Sequence, residues 1–365
     1  MYRRRLLGAG AGLAVAAISG CALHQSSVTE APAPSPAKSP SPKTLTRIAF
    51  GSCIDQTKPQ PIWSAINASK PDLFIFGGDN VYASDQPWRL DKLQSAYAQL
   101  AQNAGFEHLR KSTPIQVIWD DHDYGVNDGG ADFPHQQASK DEFLKFWNLD
   151  AADPRRSRDG LYHSTIYGSK GKQVQIILLD CRSFRSGLKP TDVRNAPGKE
   201  RYLPDADPAK TMLGTAQWQW LEQQFLQPAD VRFIVSGVQV IVEGHGWEGW
   251  CNFPAEQTKL INLISSTQAK GVVFLSGDRH IGAMYKHQAA GSTPNYPLYE
   301  LTSSGMTHAW STANEAGPNR LGELVTQNHY AQIDIDWAAR NMLLSLLGEQ
   351  GQSLKQLTIA LADLN

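Results

Sequence analysis

An apolar run, Leu73-Phe74-Ile75-Phe76, leads into Gly77-Gly78-Asp79-Asn80-Val81-Tyr82. A short run of this kind, bounded by Pro71 and a glycine pair, reads as a buried strand. The glycines let the backbone turn sharply and come close to whatever sits at the strand end. An acid and a phenol, Asp79 and Tyr82, then project from the loop. On its own this ending fits an Asx turn. Other apolar strands end the same way, in a small residue and then a group that can hold a metal. They deliver Cys53 after Phe50-Gly51-Ser52, Asp120-Asp121-His122-Asp123 after Pro114 to Trp119, the Ser236-Gly237 loop, and Asp278 with His280 after Ser276-Gly277. Several such endings in a chain of alternating strands and helices point to one shared site at the carboxyl edge of a sheet.

Thiolate, phenolate, carboxylate and imidazole together suit a ferric or similar transition ion, whereas carboxylates and carbonyls suit Ca²⁺, Mg²⁺ or Mn²⁺. Paired cations clamp a phosphoryl group and activate a bound water. Asp79 is the carboxylate chosen here to bridge them. A cation also deprotonates a coordinating thiol, which makes Cys53 readable as a ligand. The four ionisable groups Asp120 to Asp123 would repel one another if unpaired, and a cation removes that cost. Nucleophilic catalysis by Cys53 or a serine fits less well. There is no Gly-x-Ser-x-Gly elbow and no His-Glu-x-x-His, and Cys53-Ile54-Asp55 lacks the known protease contexts.

These side chains need a framework. Thr46 to Phe50, a helix from Pro61 to Ser69 and the strand Asp72 to Phe76 make a β-α-β unit with parallel strands. A helical stretch is expected from Trp88 to Leu109, and a second helix over Phe143 to Leu149. Leu161 to Tyr167 and Gln173 to Leu179 read as adjacent antiparallel strands, the second ending in Asp180-Cys181-Arg182. Ser183 to Met212 is a long polar insertion, and such loops are often functional. Helices around Trp218 to Phe225 and over Pro254 to Thr267 flank the strands Val231 to Ser236 and Gly271 to Ser276. Between them, Glu243 to Phe253 carries three tryptophans and reads as a packed surface loop or a substrate wall. Tyr299 to Gly305 repeats the strand-to-loop pattern. Strands near His329 to Ile335, Met342 to Leu347 and Leu357 to Leu361 form an antiparallel meander. With no internal repeat, residues 45–365 read as one domain.

The N-terminus reads as an address. Arg3-Arg4-Arg5 precede an apolar segment, Leu6 to Ile18, that ends in Ser19-Gly20-Cys21, the pattern of a secretory signal and too short to span a bilayer comfortably. Tyr2-Arg3-Arg4-Arg5-Leu6-Leu7 resembles a twin-arginine signal. Ile18-Ser19-Gly20-Cys21 resembles a bacterial lipobox, with Cys21 lipidated. Residues 1–21 are thus expected to be a signal peptide and residues 22–44, rich in Pro, Ala and Ser, a tether. The expected location is the periplasmic side of the cell envelope, with the membrane reached through the lipid anchor. The 365 residues carry a formal net charge of −1, which gives no case for a nucleic-acid partner. Of the remaining cysteines, Cys53 is assigned to the site. A bond between Cys181 and Cys251 is left open.

As a set, Phe-Gly-Ser-Cys53, Gly-Gly-Asp79-Asn-Val-Tyr82, Trp-Asp120-Asp121-His122-Asp123, Leu-Asp180-Cys-Arg182 and Ser-Gly-Asp278-Arg-His280 resemble the PhoD-like alkaline phosphatases, a branch of the calcineurin-like metallophosphoesterases. The resemblance runs from about Arg47 to Gly305. It implies an α/β (α+β) fold, a metallophosphoesterase-like four-layer β-sandwich flanked by helices. It implies Fe³⁺ held by Cys53, Asp79, Tyr82 and His280. It implies Ca²⁺ held by Asp79, Asp121 and Asp278, with Asn127 as an additional ligand. His122 would assist the leaving group or bind phosphate. Arg279 would neutralise phosphate or serve a supporting salt bridge. The sequence departs from the pattern at Asp123, where many relatives have glutamate, and at Cys181, where threonine is usual. The expected function is hydrolysis of phosphate monoesters, with a phosphodiesterase or phospholipase D-like activity as the alternative. A lipid-anchored binding protein with a purely structural metal would have lost a bridging ligand, yet Asp79, Asp121, Asp278 and His280 are all present.

Overall fold

The apolar run at Leu73 to Gly77 is a strand whose five residues are all buried. A computed structural model describes residues 43–288 and 294–365 and supplies its setting. The chain runs through β1 (Arg47–Gly51), α1 (Ile62–Ser69), β2 (Leu73–Gly77), α2 (Leu90–Ala101), α3 (Ala104–Ser112) and β3 (Ile115–Ile118). The one-turn helix α4 (Asp121–Tyr124), α5 (Gln136–Phe146), β4 (His163–Tyr167) and β5 (Val174–Leu178) follow. Next come the two-residue strands β6 (Lys189–Pro190) and β7 (Tyr202–Leu203), then α6 (Gly214–Phe225), β8 (Val231–Ser236) and α7 (Pro254–Ser266). β9 (Val272–Ser276), β10 (Gly282–His287), β11 (Leu298–Ser303), β12 (His329–Asp336), β13 (Asn341–Gly348) and β14 (Ser353–Ala360) complete the order.

Two six-stranded sheets result, in the orders β14-β13-β12-β1-β2-β3 and β10-β11-β9-β8-β5-β4. The first is parallel through β1, β2 and β3 and antiparallel through the C-terminal meander, as expected. The second is parallel through β5, β8, β9 and β11. Side-chain alternation along a strand explains how the layers stack. Ile176, Leu178, Phe233, Val235, Val273 and Leu275 share one core with Ile48, Phe50, Leu73 and Ile75 of the first sheet. Their neighbours Ile177, Ile234, Val272 and Phe274 face a second core with Trp218, Leu221, Leu260 and Ile264 of α6 and α7. Helix α1 packs on the other side of the first sheet through Ile62, Trp63 and Ile66. Helix, sheet, sheet and helix make the four layers of a metallophosphoesterase-like fold.

Several local expectations change. The stretch from Trp88 to Leu109 is two helices, because Asn103 stops one and caps the next: its side chain accepts from the Gly105 and Phe106 amides at 2.9 and 3.1 Å. The helix expected at Phe143 to Leu149 lies earlier, at Gln136–Phe146. Strand β10 is an addition, and the Ser183 to Met212 insertion carries the small β6–β7 ladder. Cys53, Cys181 and Cys251 are all free thiols. The signal segment, Cys21 and all of the tether except Lys43 and Thr44 lie outside the described residues. Among the described residues, no helix is long and apolar enough to cross a membrane.

Candidate metal centre

The loops after β1, β2, β3 and β9 converge where the carboxyl ends of both sheets meet. Gly78, at φ 101°, makes the approach possible: a side chain there would run into the Asp120 Cβ. Gly237 does the same from the second sheet, since its Cβ would meet the Asp120 carboxylate. The Ser236-Gly237 loop therefore supplies room and no metal-capable group. Ser236 itself accepts from Trp250 Nε1 at 3.2 Å and bonds the Val238 carbonyl at 2.6 Å. Cys53, Asp79, Asp278 and His280 all sit at positive φ, from 49° to 69°. Non-glycine residues rarely adopt this region, and such strain concentrates at functional sites.

The side chains form a connected set. Cys53 Sγ and Tyr82 Oη each lie 3.4 Å from Asp79 Oδ2. Tyr82 Oη is 2.9 Å from His280 Nε2. The donor atoms of Cys53, Asp79 and His280 all lie within 4.8 Å of one another. Asp79 belongs equally to a second group with Asp121 and His122, and Asp121 and Asp278 to a third with Asp128 and Glu248. Asp79 is thus the shared carboxylate between two neighbouring donor clusters. Asn127 is exposed and lines the adjoining cavity.

The four ionisable groups in a row separate into different roles. Asp120 accepts Arg182 Nε at 2.6 Å, and Arg182 also holds Glu248 at 2.8 Å, with Arg185 on Glu248 at 3.0 Å. Asp123 accepts the Asp120 amide at 2.8 Å and Asn80 Nδ2 at 2.5 Å. Protein groups hydrogen-bond these two acids, although burial still raises both carboxyls, Asp123 to about 7, and of the three acids in the run only Asp121 joins a donor cluster. His122 faces the cavity, its Nδ1 held by Ser84 Oγ at 2.6 Å and its ring 4.0 Å from that of Tyr82.

The donor set fits metal ions. Asp121 Oδ1 is buried and has no hydrogen-bond partner. Burial, together with the charges of Asp121, Asp120, Asp123 and Asp278, pushes the Asp79 carboxyl well above the usual range. Burial and the neighbouring Asp120 and Asp121 do the same to Asp278. Burial and Asp79 raise the Cys53 thiol. Burial, with His308, His122 and Arg279 nearby, pushes the His280 imidazole down to about 3, so it presents a neutral nitrogen. An acid cluster with a neutral imidazole and a thiol is stable once cations replace protons as counter-charges.

A cavity of about 320 Å³ opens on this cluster, lined by His122, Asn127, Arg201, Trp247, Arg279 and Trp310 among others. Trp247 and Trp310 pack edge to face at 5.3 Å and also line a second cavity of about 650 Å³. The tryptophan loop divides: Trp250 is buried in the core and Trp247 lines the cavity. Arg279 is buried against Glu315 at 2.5 Å. Sequence reasoning missed His308, whose ring packs 4.3 Å from His280 and 4.8 Å from Tyr82. It also missed Ser84 and Arg201. His308 follows the small-residue ending Ser303-Ser304-Gly305, a usable signal. Arg201 lies in the polar insertion and carries no local signal.

The four layers and the converging strand-end loops define a metallophosphoesterase-like fold. A family model for PhoD-like phosphatases matches residues 48–342. The chain belongs to the PhoD-like phosphatase family. It is 24% identical over 213 residues to alkaline phosphatase D of Bacillus subtilis (strain 168), a match covering 52% of this chain and 35% of that protein. The chain therefore spans about a third of the length of that curated relative. The solved structure of PhoD superposes with a TM-score of 0.67 at 17% identity, over 88% of this chain and 70% of that one. The purple acid phosphatase PPD1 from yellow lupin seeds gives 0.57 at 13% identity, over 88% and 55%.

Proposed function

We propose that this protein is a metal-dependent phosphoric ester hydrolase acting on phosphate monoesters. The observation that carries the reading is the sharing of Asp79 between the Cys53–His280 donors and the Asp121 donors, beside a cavity lined by His122 and Arg279. Cys53, Asp79, Tyr82 and His280 would hold Fe³⁺, and Asp79, Asp121, Asp278 and Asn127 would hold Ca²⁺. The thiol and phenol donors support iron, and the all-oxygen set supports calcium. Bound cations supply charge neutralisation of the phosphoryl oxygens and a water of lowered pKa.

The chain's own groups do the rest. Ser84 fixes His122 through Nδ1, leaving Nε2 toward the cavity to bind phosphate or give a proton to the departing alkoxide. Asp79 Oδ1 accepts the His122 amide at 3.1 Å, which ties the bridging acid to the histidine backbone. Arg279 adds fixed positive charge to the wall. One observation favours a second reading, phosphodiester cleavage of the phospholipase D type: the second cavity, reached over Trp247 and Trp310, has room for another ester arm. The basic start and Cys21 support export and lipid anchoring on the periplasmic side of the envelope, with the membrane as a partner surface.

The test is hydrolysis of a chromogenic monoester beside the matching diester, at alkaline pH with calcium, with and without chelator. Chelator-sensitive turnover favouring the monoester is the expected result. A higher diester rate selects the second reading, and chelator-resistant turnover overturns both.

A further inference from the structure

The cavity wall carries two arginines, and they are held differently. Arg279 keeps 7% of its side chain exposed, gives Nη2 to Glu315, and has its Nε buried without a partner. Its guanidinium also packs 4.4 Å from the Trp247 ring centre and 5.6 Å from that of Trp310. Most of its donors are therefore committed or shut in. Arg201 keeps 34% of its side chain exposed and makes one ion pair, Nη1 to Asp128 Oδ2 at 3.1 Å. Among the described residues, its Nε and Nη2 have no hydrogen-bond acceptor.

We propose that Arg201, carried in by the insertion between β5 and α6, is a substrate-binding residue that grips the phosphoryl oxygens. The assignment rests on the phosphatase reading of the same cavity. Nε and Nη2 form one edge of the guanidinium fork, which matches two phosphate oxygens. The group is already held in place. The Arg201 amide bonds the Gly246 carbonyl at 2.9 Å, and its own carbonyl accepts the Thr191 amide at 2.9 Å. The guanidinium lies 5.0 Å from the Trp247 ring centre. Asp128, its ion-pair partner, gives its amide to Asp121 Oδ2 at 2.6 Å, so the arginine is set one residue away from a candidate metal ligand. Little rotamer entropy remains to be lost when an anion binds.

The experiment is calorimetric titration of metal-loaded protein with inorganic phosphate, for wild type, Arg201→Gln and Arg201→Lys, with metal content measured on each. Arg201→Gln should weaken phosphate binding by about ten- to a hundredfold, the worth of lost charged hydrogen bonds. Monoester kcat/KM should fall with it, chiefly through KM, at unchanged metal content. Arg201→Lys should recover part of both. Phosphate affinity within about twofold of wild type, or a loss that only tracks lost metal, overturns the assignment. A wild-type protein that binds phosphate and hydrolyses no ester overturns the phosphatase reading, while the titration still decides Arg201.

Discussion

Tyr82 Oη lies 2.9 Å from His280 Nε2, although 198 positions separate the two residues. Tyr82 follows β2 in the first sheet and His280 follows β9 in the second. The candidate metal centre therefore spans the seam between the sheets. Its geometry depends on how the two layers pack, and one group, Asp79, is common to both donor clusters.

Replacing that common group is the sharpest local test. Asp79→Asn keeps the volume and removes the charge that neutralises two cations. Metal content and turnover should both collapse, turnover by at least about a hundredfold. Elemental analysis with an ester assay reads both, and a variant with normal metal and normal activity would remove the shared-ligand account.

His122 separates chemistry from metal binding. His122→Gln should lower kcat by about 10²- to 10⁴-fold, the usual range for a lost proton donor, with metal retained. Loss of metal in the same proportion would make His122 a ligand instead.

Arg182 is wholly buried between Asp120 and Glu248. Arg182→Met strands the buried Asp120 and leaves Glu248 to Arg185 alone, and should cost about 3–5 kcal/mol in chemical denaturation. A cost below about 1 kcal/mol, the range of exposed pairs, would show that the network contributes little.

Acid should weaken the fold partly through His329. Burial pushes its imidazole down to about 4, against a weaker upward pull from hydrogen bonds to backbone carbonyls such as Gln327, 2.8 Å away. The unfolded value is about 6.5. Because the folded value is the lower one, the unfolded chain binds more protons between them. The contribution is present above about 6.5 and is lost as pH falls toward 4. The melting-temperature advantage of wild type over His329→Gln should shrink across that window. An advantage constant with pH would rule out His329 as a source.

Much of this was legible because strands announce themselves locally. Apolar runs such as Leu73 to Phe76 and Val272 to Ser276 are buried on both faces, so hydrophobicity alone marks them, and the small residues after them mark the sites of close approach. The roles of Asp120 and Asp121 were not legible. They are adjacent and chemically identical, but Asp120 is the extended cap before α4 and Asp121 its first helical residue, so their side chains leave in different directions. One meets Arg182 and the other the candidate cation site. Arg201 was equally hidden, since it reaches the cavity only through the β6–β7 ladder and the Gly246 contact. Asn103 was readable in type as a cap, yet the helical periodicity around it masked the break.

The most direct measurement is elemental analysis of the purified protein together with its visible spectrum. The account predicts bound iron with a second cation, and a visible absorption from the Tyr82 and Cys53 donors whose phenolate part is lost in Tyr82→Phe. A colourless, metal-free protein with full esterase activity would contradict it.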